Sequence, residues 1–156
     1  MQNSFDPVYA LTREDVIEST HYGAIVAVDS YGNTLLSHGN SQRVAFLRSS
    51  SKPFQVLPFV KADGVEIFGL TAKELALAFV PHEGSDEHVR VVRSMLVKMD
   101  VEVADLHCGI HMPGAASAYK RLIQDNALPS PNRNNCSGKH TALLAFAKMR
   151  ALPLDS

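Results

Sequence analysis

Three short segments carry residue types that can do covalent or metal chemistry. The first is Ser49-Ser50-Ser51-Lys52, a Ser-x-x-Lys arrangement. On a helix, positions i and i+3 share a face, so a lysine amine can sit beside a serine hydroxyl. A lysine kept neutral by desolvation can take the serine's proton, and a nearby helix N-terminus favours the negative charge that develops. The pattern by itself is common, on the order of half a match per chain by chance. Ser117-Ala-Tyr-Lys120 matches it too, with nothing else to recommend it. A plain helix cap explains Ser49 to Ser51 equally well. Pro53 is expected to push Lys52 away from helical geometry.

The second segment is Cys136-Ser-Gly-Lys139-His140, which follows an Asn-rich loop and opens a helix. A thiolate at a helix start has a lowered pKa and can serve as a nucleophile or a metal ligand. Gly138 would allow close backbone approach to a ligand. No second Cys-x-x-Cys or His pair stands at zinc-finger spacing. Arg133 occupies the place of the first glycine of a phosphate-binding loop, which excludes that motif. A small buried cysteine accounts for Cys136 as well. The third group is histidine-rich: Pro81-His82-Glu83-Gly84, and His107-Cys108-Gly-Ile-His111-Met-Pro113. A lone histidine is usually a hydrogen-bonded surface or core residue. Several such segments, each beside an element end, can converge on one pocket.

These residues need a scaffold. The chain has 156 residues, 46% hydrophobic and 20% charged, with a net charge of −1. That is globular composition with no electrostatic support for nucleic acid or anionic lipid. No apolar run approaches the 18 or so residues of a membrane span, and no secretory signal is visible. Two cysteines, Cys108 and Cys136, then suit a reducing compartment, and a cytoplasmic location is expected. Residues 8–48 read as β-rich. Gly23 to Val28, Thr34 to Ser37 and Val44 to Leu47 are expected strands of an antiparallel meander, turned at Asp29 to Asn33. Residues 49–156 read as helical. Thr71-Ala-Lys-Glu74 forms a capping box opening a helix to about Val80. Asp86 to Met99 places Val89, Val92, Met95, Leu96 and Met99 at helical spacing. Further helices are expected over Ala116 to Gln124 and Gly138 to Met149. Strands first and helices afterwards predict an α+β fold.

Four segments occur in order along the chain: Glu18-Ser-Thr-His21-Tyr-Gly23, Arg48-Ser-Ser-Ser-Lys52-Pro-Phe-Gln55, Cys108-Gly-Ile-His111-Met-Pro113 and Asn134-Asn-Cys136-Ser-Gly-Lys139-His140. As an ordered set they resemble the L-asparaginase II family, the Rhizobium-type or third structural class of asparaginases. The resemblance implies an antiparallel sheet flanked by helices, related to serine β-lactamases and penicillin-binding proteins. It implies hydrolysis of L-asparagine to L-aspartate and ammonia, with Ser49 as nucleophile and Lys52 as its base. It also implies a zinc ion held by Cys136 and Lys139, and a homodimer. A zinc dication near Lys52 would oppose its protonation.

The sequence departs from the family pattern in two ways. Pro81 stands where members carry the first serine of Ser-His-Ser-Gly. Family chains are about twice as long, and a second lysine and a third zinc ligand would lie beyond Ser156. The resemblance therefore predicts a single partial domain, the N-terminal half. Two functions follow as expectations: an asparaginase-type amidohydrolase, or an inactive remnant that at most binds a small amino acid or a partner chain.

Overall fold

The structure is a computed structural model and describes residues 5–154. The chain divides into two compact units, Met1–Phe46 and Leu47–Ser156. The fold class is α+β, as the order of strands and helices predicts.

The first unit holds two antiparallel hairpins, each a separate two-stranded sheet. β1 (Asp6–Arg13) pairs with β2 (Val16–Gly23), with Tyr9 opposite His21. Glu14 turns between them with a left-handed φ of 53°. β3 (Ile25–Val28) pairs with β4 (Thr34–His38). The Asp29 side chain builds this second turn. Its Oδ1 accepts from the main-chain N–H groups of Tyr31 at 2.9 Å and Asn33 at 2.8 Å. Gly32 supplies a φ of 86°, which only glycine adopts freely. The expected meander is thus replaced by two hairpins. Val44 to Leu47 forms no strand, and Val44 and Phe46 stand exposed. β1 and β2 were not individually legible, because Asp6, Pro7 and Glu18 interrupt the β-branched pattern on which strand recognition rests.

The second unit is helical: α1 (Lys52–Lys61), α2 (Gly64–Ile67), α3 (Ala72–Phe79), α4 (Asp86–Met99), α5 (Ala116–Gln124) and α6 (Ser137–Met149). Thr71 caps α3 in a reciprocal box with Glu74, and Ser85 caps α4 in the same way with His88. On α4, Val89, Val92, Met95, Leu96 and Met99 are buried as their spacing predicts. Val92, Met95, Leu96 and Met99 join Val56 and Phe59 of α1, Leu77 and Ala78 of α3, and Ala142 and Ala145 of α6 in one core. Full burial of a side chain such as Phe59 stabilises by roughly 1.5–3 kcal/mol.

Lys52 departs from expectation. Its φ of −54° and ψ of −42° are helical despite Pro53. Pro53 lies in the first turn of α1, where a missing N–H leaves no intrahelical bond unmade. Gly138 departs too. A Cβ there would lie 2.4 Å from the Leu77 carbonyl oxygen, so the glycine lets α6 meet α3 and serves the packing of two helices.

Candidate active site

A cleft of about 330 Å3 in the helical unit is lined by Arg48, Ser49, Lys52, Gln55, Cys136 and Lys139. All four residues singled out in the sequence for catalysis or metal binding therefore share one cleft. Two elements supply it. A 3-10 turn over Arg48–Ser51 runs directly into α1, and side chains three apart on such a turn stack on one side. That puts Ser49 and Lys52 on the same face. Arg48 starts the turn with a left-handed φ of 49°, a strained conformation for a residue with a side chain. From the other side, Cys136 is the residue before α6 and Lys139 lies in its first turn.

The serines divide by role. Ser50 donates to the Leu47 carbonyl, and Ser51 donates to the Arg48 carbonyl at 2.7 Å while accepting from Gln55 at 2.8 Å. Neither hydroxyl caps α1, so the capping explanation for this cluster does not hold. Among the described residues Ser49 Oγ has no hydrogen-bond partner.

Lys52 is only 2% exposed. Its Nζ donates to the main-chain carbonyl of Asn135 at 3.1 Å. Burial pushes this amine below the ordinary lysine range; the facing Cys136 thiol opposes that shift, and the Lys139 charge adds to it. The amine is thus closer to the neutral, proton-accepting form than a surface lysine.

The segment from Asn134 to Ser137 ties the histidine-rich loops to this cleft. Asn134 donates from Nδ2 to the carbonyls of Cys108 at 2.8 Å and Gly109 at 3.2 Å, and its Oδ1 accepts from Cys136 N–H at 2.8 Å. His82 Nδ1 accepts from Gly84 N–H at 3.1 Å, so the ring proton sits on Nε2, which donates to Ser137 Oγ at 2.9 Å. Ser137 passes the chain on to the Asn132 carbonyl at 3.0 Å. Burial, with smaller contributions from His88, Lys52 and His111, lowers the His82 pKa to about 4. Burial first, then Lys139, Lys52 and His107, also lowers that of His140. Burial raises the Cys108 thiol.

Sequence reasoning assigned no role to Asn135, to Asn134 as a clamp, or to the Ser137 hydroxyl. The signal was the asparagine run before α6, since asparagine side chains can satisfy main-chain groups that a bent loop leaves open.

Among the described residues no three His, Cys, Asp or Glu side chains group as a metal site. Cys136 and Lys139 offer two donors, short of the three or four protein ligands that zinc uses, so the described residues do not by themselves fit the ion. No described helix is long and apolar enough to cross a membrane.

The sequence pattern defines the class of protein. The model of the family described as L-asparaginase II matches residues 9–156. The chain belongs to the L-asparaginase II family, which makes it a relative of amidohydrolases that act on an amino acid. No curated protein matches it.

Proposed function

We propose that the chain carries the serine and lysine of an asparaginase-type site, hydrolysing L-asparagine to L-aspartate and ammonia. The observation that carries this reading is the desolvated Lys52 amine in the cleft that also holds Ser49. In this mechanism Ser49 Oγ attacks the side-chain amide carbon and its proton passes to Lys52 Nζ. The C–N bond then breaks, Lys52 returns the proton to the departing ammonia, and an aspartyl ester remains on Ser49. Water attacks that ester with Lys52 again taking a proton; the acyl C–Oγ bond breaks, Lys52 returns the proton to Ser49 Oγ, and aspartate leaves. Cys136 and Lys139 are proposed as two ligands of a zinc ion that needs a further donor, and no step runs through it. A homodimer is the assembly that the family resemblance supports, and the two free cysteines, Cys108 and Cys136, suit a cytoplasmic location.

The test is ammonia release from L-asparagine by the purified chain, with and without added zinc, beside Ser49→Ala. Release that vanishes in the variant supports the proposal. Equal release from both, or none from a folded sample, sinks it. Pro81 favours the second reading, an inactive member that at most binds a small amino acid or a partner chain, and absence of release with retained L-aspartate binding would select it.

A further inference from the structure

Asn135 is held at both of its main-chain polar atoms. Its carbonyl accepts from Lys52 Nζ at 3.1 Å and from the main-chain N–H of His82 at 3.2 Å. Its own N–H points to Nε2 of His111 at 3.2 Å. The His111 tautomer follows from its other nitrogen. Nδ1 lies 2.8 Å from the Met112 carbonyl, which can only accept, so Nδ1 carries the proton and Nε2 offers a lone pair. The Asn135 side-chain Oδ1, 3.3 Å from the same nitrogen, is then an acceptor facing an acceptor and adds no hydrogen bond in this tautomer.

The consequence concerns how the lysine is aimed. A lysine side chain has four rotatable bonds, and a base works only when its lone pair meets the proton that it takes. Within this cleft Lys52 Nζ donates to a loop carbonyl at 3.1 Å and also faces the Cys136 thiol, so the loop's position helps to set the direction of the amine. The side chains facing that amine are Cys136 just before α6, Lys139 and His140 from α6, and His82 from the loop after α3. None of these fixes the Asn135 main chain from its N–H side; His111 does.

We propose that His111 is a positioning residue for Lys52, accepting the Asn135 N–H so that the adjacent carbonyl holds the amine in line. This rests on the reading of Lys52 as the base of the Ser49 reaction. Two substitutions separate the bonds of the ring. His111→Asn keeps a donor near the Nδ1 position and lacks the reach to accept from Asn135. His111→Gln sets a carbonyl oxygen where Nε2 stands.

The direct measurement is limited acetylation of the whole chain, reading modification of Lys52 against exposed Lys61 by peptide mass spectrometry. His111→Asn is expected to raise the Lys52 to Lys61 ratio several-fold, and His111→Gln to restore the wild-type ratio. A His111→Asn ratio equal to wild type, or a His111→Gln ratio equal to that of His111→Asn, overturns the proposal. Should His111→Asn not fold, exchange of the Asn135 amide in the wild-type chain decides: protection is expected, and exchange at the rate of an open loop overturns the assignment. Ammonia release adds a second arm, with kcat lowered and KM kept in His111→Asn and kcat restored in His111→Gln. Activity unchanged in Ser49→Ala would sink the reading of the reaction while leaving the acetylation result to judge His111 alone.

Discussion

The ring Nε2 of His82 lies 2.9 Å from the hydroxyl of Ser137, joining the loop after α3 to the first turn of α6 across 55 residues. Both side chains are buried. The ring accepts from Gly84 and donates to Ser137, which in turn donates to Asn132. That chain is satisfied only by a neutral imidazole.

A pH prediction follows from this chain. The His82 pKa falls from 6.5 to about 4 on folding, so the unfolded chain binds a proton that the folded chain refuses. Stability is fully present above 6.5 and is lost as the pH falls toward 4, by about 3 kcal/mol. Denaturant titrations across this window should show the loss. His82→Gln should flatten most of it, with His140 contributing the remainder. A pH dependence unchanged in His82→Gln would rule the account out.

Glu74 governs a separate, more acidic range. Burial opposes its ionisation, but hydrogen bonds from Lys98, Thr71 and Ser94 outweigh it and hold the pKa at about 2. Its contribution is complete above 4.5 and disappears as the pH falls toward 2. Glu74→Gln should cost about 2 kcal/mol near neutrality and remove that lower limb, which urea denaturation at graded pH would read.

Lys52→Met tests the buried amine. Methionine fills a similar volume, and the Asn135 carbonyl keeps the His82 N–H as a donor. Thermal melting should stay within a few degrees of wild type or rise, because burying a cationic amine is costly. Any Ser49-dependent hydrolysis should disappear. Melting lowered by more than roughly 10 °C would mean that the amine is a structural necessity.

Gly138→Ala probes the junction of α6 and α3. A Cβ only 2.4 Å from the Leu77 carbonyl oxygen forces the helices apart, at a cost of about 1–3 kcal/mol. The same shift should move Cys136 and Lys139 relative to Lys52 and reduce any Ser49-dependent hydrolysis. Gly69→Ala is the control: its φ is 58° and nothing lies within 4 Å of the added carbon, so only backbone strain is expected. Equal losses in the two variants, measured by denaturation, would contradict the close-packing argument.

What could be read from the sequence was what short range dictates. The period of Val89, Val92, Met95, Leu96 and Met99 defined α4 and its buried face, since a helix places every third or fourth residue on one side. The Thr71 and Glu74 box marked the start of α3, because capping is settled within four residues. Ordered motifs identified the family, and the types of Ser49, Lys52, Cys136 and Lys139 named the chemistry worth looking for. Tertiary structure decided the rest. Whether Val44 to Leu47 pairs as a strand depends on a partner edge that no local pattern specifies. Lys52 is an ordinary surface residue by type, and only tertiary packing strips its water and sets it against the Asn135 carbonyl, 83 residues away. Desolvation and long-range hydrogen bonds are properties of packed neighbours, so they enter only once the helices have met.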